Sequence, residues 1–342
     1  MGMDAQRITR PLTTVGAGMQ AKLPPLMVQA ENVQKVFSGD VGVFDLNFEV
    51  PTGTIFGMIG PSGCGKTTTV RLMTGLYKPD SGKLSVLNRV PSKFSPRARE
   101  RLGYMPQHFV LYPNLTVWEN LNFVASLYGM GYFKRRKPLE QALEFVELSD
   151  ARNRLGSQLS GGMQRRLELA CTLVHNPLLI FADEPTAGID PVLRGKFWDH
   201  FRQLRDQGRT LFITTQYVGE AAYCDMVAVM RDGRIIHLDT PENLRRKALG
   251  GEVIKLVVDA AHALDTAQIF QRHPAVKDVR RSRSQPGLLY LYVEDAAAAL
   301  PVIFGVTGEH PDITVQQAEK YEPPFDDIFI QLMEQAEEGH NV

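Results

Sequence analysis

The fold of this chain is decided by the stretch Gly60-Pro61-Ser62-Gly63-Cys64-Gly65-Lys66-Thr67-Thr68. It matches the pattern G-x-x-x-x-G-K-[ST], in which the glycines let successive backbone N–H groups turn inward around phosphate oxygens. An apolar run from Ile55 to Ile59 precedes it and a segment with helical spacing follows it, which is the strand–loop–helix context that the pattern requires. We therefore predict that the whole stretch binds a nucleotide. Lys66 would reach the β- and γ-phosphates, and the Thr67 hydroxyl would be a ligand for Mg²⁺.

The composition restricts the remaining possibilities. The chain has 342 residues, of which 44% are hydrophobic, so it can bury the cores of a large domain and a smaller one, or of two medium domains. Lys plus Arg number 38, as do Asp plus Glu, and this neutral balance argues against a nucleic-acid partner. No apolar run is long enough to span a membrane, and the N-terminus lacks the apolar core of a signal peptide. The sequence therefore predicts a cytoplasmic protein without direct membrane insertion.

The three cysteines are too few and too scattered for a disulfide framework or a zinc site, which indicates a reducing compartment. Cys64 lies inside the phosphate-binding stretch, where nearby Lys66 and a helix start would favour its thiolate form. The favoured alternative is that Cys64 only fills a variable position of the pattern.

Hydrophobic periodicity divides the chain into three regions. Residues 1–25 mix small and polar residues with prolines and show no period, which predicts a flexible leader. Residues 26–248 alternate strand and helix patterns and contain a helical insert at about residues 110–160, which predicts an α/β fold with a mixed sheet core and an antiparallel β subdomain. Residues 249–342 follow the order β-α-β-β-α-β with a trailing helix, which predicts a small α+β accessory domain of ferredoxin-like type.

Local signals place several elements more closely. Thr116 to Glu119 form a capping box that predicts a helix to about Tyr128, and a second helix is predicted from Pro138 to Val146. The basic run Lys134-Arg135-Arg136-Lys137 between them is predicted to be a solvated turn, with a phospholipid or partner contact as the disfavoured alternative. Asp232-Gly233 between two apolar runs predicts a two-residue hairpin.

A second motif supplies carboxylates. The continuous apolar run Leu178–Ala182 predicts a central strand that is buried on both faces, and it ends in Asp183 and Glu184. At a strand tip near the phosphate-binding stretch, Asp183 can hold the Mg²⁺ shell while Glu184 polarises an attacking water. The alternative is an ordinary acidic turn, which is disfavoured because a buried strand aims the pair at the phosphate site.

A third motif, Leu159-Ser160-Gly161-Gly162-Met163-Gln164, puts a hydroxyl and glycine amides at another helix start. The pattern L-S-G-G-x-Q between the phosphate stretch and the acidic strand resembles the signature of the ATP-binding-cassette (ABC) family, over about residues 27–245. The resemblance implies a P-loop NTPase cassette that hydrolyses ATP with Mg²⁺. It also implies two ATPase subunits, expected to be identical, that pack head to tail. Ser160, Gly161, Gly162 and Gln164 of one subunit would then close over the triphosphate of the other.

Other positions of the family pattern can be matched. Phe37 stands where the family stacks an aromatic ring on adenine, although Phe37 could instead be a core residue. Gln107 matches the glutamine that senses Mg²⁺ and contacts the transmembrane partner, and Ala187–Asp190 resembles the loop that touches the opposite subunit. Gln216 occupies the place of the family's usual histidine, so a mechanism that needs a titratable side chain there is in doubt. Gln216 is predicted to donate a hydrogen bond to the γ-phosphate.

The segment Thr214-Thr215-Gln216-Tyr217 and the C-terminal Pro323-Pro324-Phe325-Asp326-Asp327-Ile328-Phe329 resemble the drug-resistance exporter branch of the family. This resemblance implies an ATPase subunit held on the inner face of the cell membrane by a separate integral-membrane permease. Two alternatives remain open: the ATPase of a solute importer, and a soluble ABC ATPase that acts on ribosomes or DNA. The Gln216 segment disfavours the first, and a single cassette without heptads disfavours the second.

Overall fold

A computed structural model describes residues 25–39, 41–108, 110–282, 284–310 and 312–338. The predicted leader lies outside these residues except for Pro25. The chain divides into two compact units between Leu238 and Asp239. This division precedes the predicted boundary at residues 248–249, because a helix over Pro241–Leu249 packs against the last helix of the second unit. No helix in the described residues is long and apolar enough to cross a membrane.

The first unit contains two sheets. Its strands are β1 (Leu26–Ser38), β2 (Val41–Pro51), β3 (Ile55–Ile59), β4 (Ser81–Val86), β5 (Leu102–Met105), β6 (Leu179–Asp183), β7 (Thr210–Thr215), β8 (Met226–Arg231) and β9 (Arg234–Asp239). The six-stranded sheet has the order β5-β6-β7-β3-β8-β9, with parallel pairing from β5 through β8. The three-stranded antiparallel sheet has the order β2-β1-β4.

The burial of the strands follows the sequence pattern. Every residue of β3, β6 and β7 is buried, as expected for parallel strands covered on both faces. Strand β2 alternates, with Leu46, Phe48 and Val50 buried between exposed residues. The predicted hairpin at Asp232 and Gly233 is confirmed, since both residues have positive φ angles, as a type I′ turn requires.

The helices of the first unit are α1 (Lys66–Met73), α2 (Pro96–Arg99), α3 (Val117–Leu127), α4 (Tyr132–Phe145), α5 (Gly161–Leu173) and α6 (Pro191–Asp206). The predicted capping box is present, because the Thr116 side chain accepts from the Glu119 N–H and Glu119 accepts from the Thr116 N–H. The predicted start of α4 is wrong. Pro138 lies inside this helix, which begins at Tyr132 and includes the basic run 134–137. Lysine and arginine are good helix formers, so this run adds helical turns before Pro138. The stability that these turns contribute outweighs the backbone hydrogen bond that is lost at the proline.

The second unit is a four-stranded antiparallel sheet with helices. Its elements are α7 (Pro241–Leu249), β10 (Glu252–Val258), α8 (Ala263–Gln271), β11 (Val276–Arg281), β12 (Leu288–Val293), α9 (Ala296–Gly308), β13 (Val315–Tyr321) and α10 (Phe325–Glu338). The strand order is β11-β12-β10-β13. Helices α8 and α9 cover the face that carries Ile254, Leu289 and Leu291. The ferredoxin-like classification of this unit stays a prediction.

Candidate nucleotide site

The phosphate-binding stretch connects the buried strand β3 to helix α1, and its glycines are required by geometry. Gly63 and Gly65 have φ angles of 82° and 107°, in the region that favours glycine. A Cβ atom on Gly60 would lie 2.2 Å from the Met230 carbonyl oxygen, so no larger residue fits there. The loop is therefore held against β8, and its backbone follows the path that an anion-binding turn requires.

The Lys66 ammonium lies at the centre of this loop. Its Nζ donates to the carbonyl oxygens of Gly60, at 2.8 Å, and of Pro61, at 3.0 Å. It also lies 3.4 Å from Oε1 of Glu184, and the two side chains are only 3% and 9% exposed. An ammonium so thoroughly desolvated attracts anions strongly, which suits a lysine that binds phosphate.

Glu184 contacts two of the other predicted catalytic residues, Lys66 and Gln107. Its second carboxylate oxygen, Oε2, accepts a hydrogen bond of 3.1 Å from Nε2 of Gln107. The Glu184 backbone has φ of 47°, a left-handed conformation that is unusual for a bulky residue. Its N–H donates to both the carbonyl oxygen and the hydroxyl of Thr214, each at 3.0 Å. Strands β6 and β7 thus fix the carboxylate beside Lys66.

Asp183 offers a position for a cation. The Thr214 hydroxyl donates to its Oδ1, whereas its buried Oδ2 has no hydrogen-bond partner within the described part of the chain. A buried carboxylate oxygen without a partner is costly, unless it serves as a ligand. The Thr67 hydroxyl in the first turn of α1 and the amide oxygen of Gln107 are hard oxygen donors of the kind that Mg²⁺ prefers. These residues therefore fit the predicted ion.

Gln216 faces the phosphate loop. It follows the buried strand β7, and its Oε1 accepts a hydrogen bond of 2.9 Å from the Ser62 hydroxyl. The Gln216 side chain therefore points toward the loop. Because Oε1 accepts from Ser62, the Nε2 group of Gln216 can donate toward an oxygen atom at the loop.

Phe37 is not a core residue, since 48% of it is exposed at the end of β1. Its ring meets Tyr77 edge-on, with centroids 5.4 Å apart, and Nζ of Lys35 lies 5.8 Å from its centre. An exposed ring supported along its edge is compatible with stacking on a base.

The signature residues open helix α5. Ser160 is its N-cap and accepts from the Met163 N–H at 3.3 Å. A Cβ atom on Gly161 would meet nothing within 4 Å, so this part of the helix start is open, whereas one on Gly162 would meet the Leu193 side chain. Nε2 of Gln164 donates to the Gly156 carbonyl at 3.1 Å, which ties the signature to the preceding loop of its own chain.

Comparison with known proteins identifies the family. A family model described as "ABC transporter" matches residues 43–187. The daunorubicin/doxorubicin resistance ATP-binding protein DrrA of Streptomyces peucetius is 31% identical over 310 residues, which cover 90% of this chain and 93% of that protein. This chain belongs to the ABC transporter family.

Two further relatives differ in length. The linearmycin resistance ATP-binding protein LnrL of Bacillus subtilis is 35% identical over 233 residues, which cover 68% of this chain and 75% of LnrL. The probable multidrug ABC transporter ATP-binding protein YbhF of Escherichia coli is 37% identical over 226 residues, which are 66% of this chain but only 39% of YbhF. This chain therefore spans well under half the length of YbhF.

Solved structures show the same ABC ATPase cassette fold. The post-hydrolysis dimer of the cassette MJ0796 bound to ADP and phosphate superposes with a TM-score of 0.57 at 28% identity, over 63% of this chain and 98% of that one. CbiO1 of Clostridium perfringens, part of a transporter complex, gives 0.60 at 25% identity, over 66% and 95%. The predicted fold class of the first unit, a P-loop cassette with a mixed sheet, an antiparallel subdomain and a helical insert, is confirmed.

One residue that the sequence analysis missed holds this ABC site together. Arg165 in α5 is 6% exposed and donates to the carbonyl oxygens of Pro106 at 2.7 Å, Glu184 at 2.9 Å and Pro185 at 3.0 Å. It also bonds to the Glu168 carboxylate at 2.6 Å. The signal in the sequence was an arginine and a glutamate three residues apart, which ordinarily indicates a surface pair.

A second residue that the sequence did not reveal is Glu220, which is buried and follows Gln216 in the chain. The Thr186 hydroxyl donates to its Oε1 at 2.6 Å, and Nε of Arg194 lies 3.5 Å from the same oxygen. The Arg194 guanidinium stacks 4.0 Å over the Tyr217 ring. The segment that carries Gln216 is therefore connected to the residues directly after Glu184.

Cys64 behaves as a packed residue rather than a reactive one. It is 5% exposed, and burial raises the pKa of its thiol despite the lowering influence of Lys66. The structure thus favours the alternative in which Cys64 fills a variable position of the loop.

Proposed function

We propose that this chain is the ATP-hydrolysing subunit of a membrane exporter and that it works as a head-to-tail pair of cassettes coupled to a permease on a separate chain. The observation that carries the proposal is the position of the Glu184 carboxylate, between the Lys66 ammonium at 3.4 Å and the Gln107 amide at 3.1 Å. This arrangement puts a base beside a phosphate-binding lysine in a buried site. A relative named as a probable multidrug ABC transporter protein, and relatives named for daunorubicin/doxorubicin and linearmycin resistance, support export as the process.

The residues support in-line hydrolysis of ATP. Water attacks the γ-phosphorus, the bond to the β-phosphate oxygen breaks, and Glu184 orients the water and accepts its proton. Lys66 and the loop amides stabilise the charge on the transferring group. Mg²⁺, held by Thr67, Asp183 and Gln107, would neutralise charge on the β- and γ-phosphates when it is bound.

The contact between Lys66 and Glu184 also suggests an order of events. A triphosphate carries more negative charge than a carboxylate, so a bound γ-phosphate would take over the Lys66 ammonium. The Glu184 carboxylate would then lose its ion-pair partner while Gln107 still holds its second oxygen. Substrate binding would in this way release the base for its role with water.

The open start of α5 fits a site completed by a second copy. Ser160 and Gly161 are exposed, and their backbone amides lie at a helix N-terminus that attracts phosphate. The dimeric ADP- and phosphate-bound structure of the relative MJ0796 supports a paired arrangement. ATP would favour the closed pair and hydrolysis would release it.

Exposed apolar residues near Gln107 support a permease contact on the inner face of the cell membrane. A cavity of about 500 Å³ between the end of α1, strand β5 and the end of α3 is lined by Thr74, Leu102, Tyr104 and Leu127 among others. Neighbouring segments of the chain carry further exposed apolar side chains, namely Leu76, Val110, Tyr112 and Phe123, and the rings of Tyr112 and Phe123 lie 4.8 Å apart. A patch of this kind marks an interaction surface, and a short helix of the permease would fit it.

The chemical role is tested with Glu184→Gln. This variant should bind ATP as the natural protein does, while its steady-state ATPase rate falls at least about a hundredfold. It should also accumulate as an ATP-dependent dimer in size-exclusion chromatography. Glu140→Gln on the exposed face of α4 is the matched control and should hydrolyse ATP at the natural rate. A Glu184→Gln protein that turns over normally would remove Glu184 from the chemistry. The exporter assignment requires that the chain enters the membrane fraction only when a polytopic partner is co-expressed.

A further inference from the structure

The sheet of the second unit has two different faces. Along β12, Leu289, Leu291 and Val293 belong to the core beneath α8 and α9. Because side chains alternate along a strand, Tyr290 and Tyr292 lie on the opposite face. Tyr321 of β13 is on the same face, since Val253 of β10 pairs with both Tyr292 and Tyr321.

A cavity of about 420 Å³ lies over this tyrosine-bearing face, next to helix α10. The tyrosine cavity, as we call it, is lined by Arg280, Tyr290, Tyr292, Tyr321, Asp327 and Glu334 among others. The ring centroids of Tyr290 and Tyr321 lie 5.0 Å apart with an interplanar angle of 40°, so the two rings line adjacent sides of the cavity. Asp327 and Glu334 are two helical turns apart on α10 and therefore face the cavity together.

The charges around the cavity do not balance. Arg280 is compensated by Asp278, whose Oδ2 lies 3.2 Å from its Nε. Asp327 and Glu334 form no ion pair with any residue that the structure describes. Burial above all, with nearby groups that include Asp327, raises the pKa of Tyr292 and of Tyr321, so both phenols stay neutral at physiological pH. The cavity thus combines neutral aromatic faces with two uncompensated carboxylates.

We propose that the tyrosine cavity binds an organic cation, a quaternary ammonium or protonated amine that carries apolar groups. Aromatic faces attract cations through their quadrupole, and grouped aromatic rings recognise quaternary ammonium ions in this way. The structure already contains one such contact, because the Arg280 guanidinium lies 4.7 Å over the Tyr292 ring. Asp327 and Glu334 would add a screened attraction to the same ligand. None of the nucleotide-site residues lies in this unit, so the proposal does not depend on ATP hydrolysis.

The probe is benzyltrimethylammonium, with benzenesulfonate as an anion of comparable size. Binding to the full chain is measured by NMR titration in the presence of excess ADP, which keeps both probes out of the nucleotide site. The cation should bind with a dissociation constant of about millimolar order, as expected for a small ligand in an open cavity. Benzenesulfonate should bind at least about tenfold more weakly.

Variants of the cavity residues should change the affinity for the cation in opposite directions. Asp327→Asn combined with Glu334→Gln, and separately Tyr292→Leu, should each weaken cation binding about three- to tenfold. Arg280→Gln should instead tighten it about three- to tenfold, because it removes a like charge and frees the Tyr292 face. Asp265→Asn, on helix α8 at the other face of the sheet, is the matched control and should change nothing. Tighter binding of benzenesulfonate, or carboxylate variants that bind the cation as the natural protein does, would overturn the proposal.

Discussion

Arg165 has two roles that variants can separate: it stabilises the fold, and it positions the backbone of the proposed catalytic residue Glu184. Arg165→Met removes three hydrogen bonds to the carbonyls of Pro106, Glu184 and Pro185, and it leaves the buried Glu168 carboxylate without its partner. Breaking a buried ion pair from one side costs about 3–5 kcal/mol, which is a large share of the roughly 5–15 kcal/mol that stabilises a typical protein. The single variant should therefore unfold at clearly lower denaturant concentration.

The charge of Glu168 predicts how this cost varies with pH. Burial already raises the pKa of Glu168, and loss of the Arg165 charge would raise it further. A carboxyl whose pKa is raised in the folded state is tolerated when protonated and destabilises as pH rises through the folded pKa. The stability deficit of Arg165→Met should thus be larger at pH 8 than at pH 6 in denaturant titrations.

The double variant Arg165→Met with Glu168→Gln decides between the two roles. Glutamine removes the stranded charge but still accepts from the Val110 N–H, which Glu168 bonds at 3.1 Å, so stability should largely return. The carbonyl oxygens of Glu184 and Pro106 still lack their donor. The Glu184 carboxylate, the proposed base, is then less well positioned. The kcat for ATP hydrolysis should therefore fall about ten- to a hundredfold, while KM changes less than about threefold.

The control is Arg202→Met, which breaks an exposed pair with Asp199 at the same spacing on α6 and should change neither quantity measurably. A double variant with natural stability and kcat within about twofold of the natural protein would refute the positioning role of Arg165.

Four further outcomes are expected. Gln216→Ala should slow turnover about ten- to a hundredfold, because a hydrogen bond to a charged phosphate contributes about 1.5–3 kcal/mol, and activity within twofold would contradict the assignment. Gln216→His should stay active and introduce an inflection near pH 6.5 in the rate profile, which the natural protein lacks at this position. Phe37→Ala should raise KM for ATP about fivefold or more if the exposed ring stacks on adenine, and an unchanged KM in steady-state assays would exclude stacking. Cys64 should react with iodoacetamide more slowly than free cysteine at pH 7.5, as mass spectrometry can follow, because burial raises its pKa.

The parts of the fold that the sequence predicts well are those set by local pattern. The buried run before Asp183 indicates a central strand because parallel strands covered on both faces lack polar residues. The start of α4 is missed because a proline ordinarily marks a first turn, whereas here the residues before Pro138 extend the helix.

The site shows the same division between local and long-range information. Lys66, Asp183 and Glu184 can be predicted because each stands at the end of a strand or start of a helix within a short motif. Arg165 cannot, since its partners Pro106 and Glu184 lie 59 and 19 residues away along the chain. No periodicity reports such contacts, and only the folded backbone brings those carbonyl groups to one guanidinium.

The left-handed backbone of Glu184 has a consequence for how this protein can be improved. A non-glycine residue held in that conformation costs about 1–3 kcal/mol, and glycine would adopt it freely. The backbone that carries the proposed catalytic carboxylate is therefore conformationally strained. Glycine would relieve this strain, but it would also leave the buried Lys66 ammonium without its ion-pair partner, which costs about 3–5 kcal/mol, so glycine here lowers the stability of the nucleotide-free protein. Directed evolution for heat resistance therefore has to act at other positions of this enzyme.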